Sequence, residues 1–252
     1  MTITCDVGNT NIKTALFVDN EISELKTFND TNELFSFLNK NIPDSFALSS
    51  VVPAVSKKIK YFLQHNLKIS PFIINKDVNF NLKINYISME TLGIDRICSA
   101  EGAFYLYKNS GELKNYSEKT FIITIDFGTA TTINIIKYPG EFIGGLIAPG
   151  IKMMFNSLSQ NTALLPSVSD NDYDNIIAQD TKSSIASGVL NSSLGLIGKV
   201  LSHLKNIYNA EDLKIFITGG NADKITPHID FEFSYQKALV LLGAKAIMDL
   251  NK

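Results

Sequence analysis

Two stretches of the chain place an acid and a glycine where a strand would fold back on itself. The β-prone run from Thr2 to Cys5 leads into Asp6-Val7-Gly8-Asn9-Thr10, and Ile12 to Val18 follows as a second strand. Residues 120–125 lead in the same way into Asp126-Phe127-Gly128-Thr129-Ala130-Thr131-Thr132, and Ile133 to Ile136 follow. A glycine at such a tip lets backbone N–H groups come close to an anion. The hydroxyls and amides of Asn9, Thr10, Thr129, Thr131 and Thr132 would add donors. Asp6 and Asp126 accept but do not donate, so beside phosphates they fit through a bridging cation. Lys13 would point to the same place along a regular strand and could offset charge on a β- or γ-phosphate. Either motif alone is an ordinary turn. Asp6, Gly8 and Glu21, however, recur 120 positions later as Asp126, Gly128 and Glu141, which marks a duplication.

A different chemistry is written in Gly93-Ile94-Asp95-Arg96, at the start of a helical pattern over Ile97 to Tyr107. Asp95 could accept a hydroxyl proton, and Arg96 could clamp a carboxylate or phosphate through two parallel hydrogen bonds. Of 23 basic residues Arg96 is the only arginine. In a chain that otherwise uses lysine, a retained arginine points to a need for the planar fork. The competing reading is an N-cap aspartate beside a solvated arginine. Gly219-Gly220-Asn221 after a strand suits an adenosine-facing turn. The segment Gly144 to Gly150 is too rich in glycine for a strand and too apolar for a linker, so it is expected to let another element pack closely. His65, His203 and His228 have no metal-binding or triad spacing.

These residues need a scaffold of alternating elements. Helical patterns cover Thr31 to Asn41, Val55 to Asn66, Ser184 to Tyr208 and Tyr235 to Leu250, and strands cover Phe46 to Val51, Phe72 to Ile74 and Leu213 to Thr218. A hairpin followed by alternating helix and strand, twice over, predicts two α/β domains, residues 1–114 and 115–252, facing a central cleft. With 252 residues, 45% hydrophobic and 19% charged, the chain can build such cores and is not disordered. A net charge of −2 offers no basic field for nucleic acid or an acidic membrane. The acid at Asp6 argues against a signal peptide, and Cys5 and Cys98 lack CxxC spacing, so a reducing, cytoplasmic setting is expected.

Taken together, Asp6-Val-Gly-Asn-Thr-Asn-Ile-Lys13, Gly93-Ile-Asp-Arg96, Asp126-Phe-Gly-Thr-Ala-Thr-Thr132, Gly144-Gly-Leu-Ile-Ala-Pro-Gly150 and Thr162-Ala-Leu-Leu-Pro166 resemble type III pantothenate kinase. That family lies in the acetate kinase, sugar kinase, Hsp70 and actin superfamily. The resemblance implies duplicated ribonuclease-H-like (actin-like ATPase) domains and ATP-dependent phosphorylation of pantothenate to 4′-phosphopantothenate. It implies ATP-phosphate contacts at Asp6, Val7, Gly8, Asn9, Thr10, Asn11, Ile12, Lys13 and Thr129, with Mg2+ accompanying ATP. It implies a monovalent cation, potassium or ammonium, at Asp126. Pantothenate would meet Tyr86, Gly93, Ile94, Asp95 and Arg96, with Asp95 as proton acceptor, and Thr181 reaching it from either subunit of a homodimer. The sequence departs from the family at Ile94, where a smaller residue is usual. Two rivals stand beside this reading: a kinase of the same architecture acting on a sugar or short carboxylic acid, and a non-catalytic nucleotide-switched regulator.

Overall fold

A computed structural model of the chain describes residues 1–111 and 117–252. Strand β1 (Thr2–Val7) turns into β2 (Ile12–Val18), and β2 into β3 (Glu21–Phe28) through a tight turn whose Asp19 and Asn20 both have positive φ. Then come α1 (Thr31–Lys40), β4 (Ser45–Ser50), α2 (Pro53–His65), β5 (Phe72–Ile73), β6 (Lys83–Ile84) and α3 (Ile94–Asn109). The second series is β7 (Thr120–Phe127), β8 (Ala130–Lys137), β9 (Glu141–Pro149), α4 (Ile151–Gln160), α5 (Thr181–Ile207), β10 (Asp212–Thr218), the short α6 (Ala222–Ile225), β11 (Ser234–Tyr235) and α7 (Leu239–Leu250).

The duplication expected from the sequence is visible in the topology. The first sheet has the order β3-β2-β1-β4-β5, and the second repeats it as β9-β8-β7-β10-β11 with β6 added beyond β9. In the first sheet β1 to β3 are antiparallel and β1, β4 and β5 parallel. Asp6 and Asp126 are each the penultimate residue of the first strand of their series, and Glu21 and Glu141 each open the third. Two expectations need correcting. Glycine does not keep residues 144–149 out of a strand: β9 runs through them, with Gly144 at φ +133, a value a side-chain-bearing residue rarely adopts. The terminal helix begins at Leu239, because Ser234 and Tyr235 first pair with β10.

The chain packs as two compact units. The first comprises Met1–Tyr116, Asn134–Gly144 and Ala238–Lys252, the second Ser117–Ile133 and Gly145–Lys237. The expected division between residues 114 and 115 lies outside the described residues. In the first unit, Ile3, Cys5 and Val7 turn one face of β1 toward a core shared with Leu34, Leu38, Ile59 and Leu63 of α1 and α2. The alternate residues, including Asp6, therefore face the other way, where α7 lies against β1 and β4, and α3 against β4. Helix α3 is buried nearly all round, and it meets α7 at a glycine pair. A Cβ on Gly243 would lie 1.8 Å from the carbonyl oxygen of Cys98, and one on Gly102 would lie 2.1 Å from that of Leu239. This close crossing fixes where the N-terminus of α3 sits. In the second unit, α5 is the one helix among the described residues long and apolar enough to cross a membrane, and 44% of its most apolar window is buried inside the fold.

Candidate active site

At the tip of the first hairpin the N–H of Gly8 donates to the carbonyl of Asn11 at 3.1 Å. Asn9 and Thr10 are exposed there, Gly8 and Asn11 partly so. Val7 and Ile12 are core residues, so of the expected phosphate elements these two can offer only their backbones. Asp6 stands opposite Lys13 on β2 and opposite Ser49 on β4, which puts the three side chains on one face of the sheet. The Ser49 hydroxyl donates to Asp6 Oδ1 at 2.9 Å. Ser49 carried no signal in the sequence, since a serine at a strand end is unremarkable until the parallel register with β1 is known.

The N-terminus of α3 is close to this group. Burial pushes the Cys98 thiol well above its ordinary range; Asp6 adds to the shift, a hydrogen bond from Ser49 opposes it, and Asp95 adds to it again. The two aspartates thus act on one buried atom within a single unit. Gly93 caps α3 with no side-chain cap, and Asp95 falls in the first turn instead of at the cap. Its Oδ1 folds back over Gly93, where a Cβ would lie 2.3 Å away. Ile94 is partly buried.

Arg96 is not a solvated arginine. It is 5% exposed, and its Nε donates to Asn134 Oδ1 at 2.7 Å. Its guanidinium lies 5.8 Å from the ring centre of Tyr86 and 5.9 Å from that of Phe142. Among the described residues its Nη2 has no hydrogen-bond partner, and no carboxylate forms an ion pair with it. A buried cation with no counter-charge costs several kcal/mol, and an anionic or strongly accepting group at Nη2 would offset that cost. Asn134 and Phe142 were missed in the sequence. Asn134 did leave a trace: it is an amide inside the apolar run Ile133 to Ile136, and a buried amide needs a partner.

The walls of this pocket are tied down. The Lys83 and Asn85 N–H groups donate to the carbonyls of Gly140 and Phe142, which holds the chain leading to Tyr86 beside β9. The fully buried Glu101 of α3 accepts from Leu82 N and Asn81 Nδ2, both at 2.9 Å. Burial pushes its carboxyl above the usual range, against the pull of these bonds.

In the second unit the Asp126 loop is gripped from two sides. A Cβ on Gly219, whose φ is +104, would lie 2.5 Å from Asp126 Oδ1 and from the backbone of Phe127, so only glycine fits. Asn221 donates through its N–H to the Phe127 carbonyl and through Nδ2 to that of Gly128. Gly150 presses on the carbonyls of Gly128 and Thr129. The expected adenosine-facing turn and the glycine-rich segment both brace this loop. Among the described residues Thr131 Oγ1 is buried without a hydrogen-bond partner. The donors at hand around Asp126 are oxygens, and the described residues contain no cluster of three or more His, Cys, Asp or Glu. Oxygen donors suit a hard cation better than a soft transition metal. Thr181 is the exposed first residue of α5, after the N-cap Asp180, and lines a groove of about 500 Å3 with Leu165 and Ile185.

Comparison with known proteins adds the following. The family described as Type III pantothenate kinase matches residues 2–203. A type III pantothenate kinase of Sulfurihydrogenibium sp. is 32% identical, covering 96% of this chain and 97% of its own. One of Finegoldia magna is 30% identical, covering 98% and 96%. Among solved structures, a Campylobacter jejuni protein of the Baf family has a TM-score of 0.62 at 22% identity, covering 99% of this chain and 98% of its own. The ROK hexokinase of Thermus thermophilus has a TM-score of 0.51 at 10% identity, covering 99% of each. These two structures speak to the fold alone: a mixed α/β architecture shared with sugar kinases.

Proposed function

The chain belongs to the type III pantothenate kinase family, and from that membership we propose how its residues divide the work. The enzyme transfers a phosphoryl group from ATP to pantothenate in the biosynthesis of coenzyme A. Such transfer has a loose transition state with charge on the equatorial oxygens, so catalysis is largely alignment and charge compensation.

Arg96 and Tyr86, with Gly93 and Ile94, receive pantothenate. The observation that carries this is the buried guanidinium whose Nη2 meets no partner among the described residues. Asp95 takes the proton of the acceptor hydroxyl as that oxygen bonds to the γ-phosphorus, and the bond to the β-phosphate oxygen breaks to release ADP. The first hairpin, from Asp6 to Lys13, together with Thr129, contacts the phosphates, and Lys13 offsets their charge. Magnesium, which accompanies ATP in such kinases, neutralises phosphate charge when bound. Asp126 with neighbouring oxygens holds the monovalent cation, potassium or ammonium. Removing potassium and ammonium should then depress turnover, and Asp126→Asn should abolish the response to adding either back.

A second copy of the chain completes the enzyme. The support is an apolar groove of about 520 Å3 between α4 and α5, lined by Met153, Met154, Leu158, Ile185 and Val189. Strongly exposed apolar residues lie in the same unit, Leu164 at 93% and Ile177 at 82%. A homodimer covering this face would let Thr181 serve the pantothenate site of its own or the neighbouring subunit. Sedimentation as a monomer at micromolar concentration would refute it. The two buried, unpaired cysteines agree with a cytoplasmic location. The test of the reading is ADP release over a panel of hydroxyl acceptors. Pantothenate should drive it, and sugars and short hydroxy acids should not; release driven equally by a sugar would overturn the substrate assignment.

A further inference from the structure

A lysine that no motif singles out lies beside the residue to which proton transfer is assigned. Lys76 follows β5, at the edge where the parallel strands β1, β4 and β5 end and where Asp6 and Ser49 are found. Its ammonium donates to the carbonyl of Leu92, the residue before the cap of α3. The Asp95 carboxylate folds back over Gly93, the next residue. Cation and carboxylate are therefore both held at the Leu92–Gly93 junction. We propose that Lys76 is a positioning residue for phosphoryl transfer: its ammonium pins the turn into α3 and holds the Asp95 carboxylate toward the acceptor hydroxyl. The inference rests on the reading of Asp95 as the proton acceptor.

The surroundings are those of a charge kept for use. Burial lowers the pKa of Lys76, and Asp95, Cys98 and Glu90, in that order, pull it back up. Among the described residues these three, from α3 and the turn before it, are the ionisable groups that act on it. A lysine serving only as a spacer would gain by reaching solvent, which its long flexible stem allows. This one instead lies partly buried among acids at the start of the catalytic helix. It transfers no proton; a fixed positive charge restrains the orientation of the carboxylate, and a small misplacement of a reacting group costs rate steeply.

The experiment compares wild type, Lys76→Met, Lys76→Arg and Asp95→Asn in pantothenate-dependent ADP release across pH, with KM for ATP and thermal melting measured on each. Lys76→Met should lose about 10- to 100-fold in kcat with its KM for ATP nearly unchanged. Lys76→Arg should keep the rate at neutral pH within about threefold and should hold it at alkaline pH where the wild type declines, because a guanidinium does not deprotonate there. A merely structural lysine would not move that alkaline limb. Wild-type kcat in Lys76→Met, or an alkaline limb in Lys76→Arg that coincides with the wild type's, overturns the proposal. If Lys76→Met does not fold, the wild-type and Lys76→Arg profiles decide it alone. Near-normal turnover in Asp95→Asn would instead remove the assignment of Asp95, a separate failure from an inactive Asp95→Asn beside a fully active Lys76→Met.

Discussion

Replacing Arg96 by methionine should leave the protein about as stable and unable to hold pantothenate. The wild-type guanidinium is 5% exposed, has one hydrogen bond at 2.7 Å and has no ion pair among the described residues. Removing an uncompensated buried charge relieves a desolvation penalty of several kcal/mol. Against this stand about 1–3 kcal/mol for the bond lost to Asn134 and about 0.5–1 kcal/mol for each of the two ring contacts. Methionine fills much of the same volume, so the cavity cost is small. The losses come to about 2–5 kcal/mol, close to the penalty relieved, so the variant should melt within a few degrees of the wild type. The assay is thermal melting with and without pantothenate. At a hundred times its Kd the ligand should add about 2.7 kcal/mol to the wild type and nothing to the variant. A variant that melts several degrees lower and still responds to pantothenate would refute the reasoning, because Arg96 would then be a structural arginine.

Three further outcomes are expected. Asp95→Asn should lose about 10²- to 10⁴-fold in kcat, the range for a positioned acid–base group, while ATP affinity measured by calorimetry is retained; unchanged turnover would contradict the mechanism. Two helical glycines should respond to alanine with opposite signs. Gly243→Ala, with its Cβ 1.8 Å from the Cys98 carbonyl, should lose about 1–3 kcal/mol and raise the KM for pantothenate by displacing α3, whereas Gly198→Ala, with open space around it, should gain about 0.5–1 kcal/mol; equal melting temperatures would refute the packing argument. Burial raises the Glu101 pKa, so its neutral form is favoured in the fold, and the stability this contributes is full below the unfolded pKa and lost as pH rises through the folded one. Glu101→Gln, which keeps an acceptor for Leu82 N–H, should therefore flatten the dependence of melting temperature on pH above about 4.5, and parallel curves would contradict it.

The repeated Asp-x-Gly hairpins, the two α/β series and the place of Asp95 next to the lone arginine were legible because local rules govern them. Strand runs, turn residues and a rare residue type are all visible in a single chain. What was not legible depends on register and on packing between distant segments. Ser49 matters only because β4 lies parallel to β1 in a particular register. Phe142 and Tyr86 flank Arg96 only because β6, remote in sequence, pairs with β9. Lys76 reaches Leu92 across 16 residues by a path that no periodicity encodes. The glycine-rich stretch after Phe142 was misjudged because glycine's low strand propensity was outweighed by the sheet around it.

A crystal soaked with pantothenate tests the central claim most directly. The account expects the primary hydroxyl within hydrogen-bond reach of the Asp95 carboxylate and an acceptor atom of the ligand about 3 Å from Arg96 Nη2, between the rings of Tyr86 and Phe142. Pantothenate bound elsewhere, with the guanidinium still unmet, would contradict it.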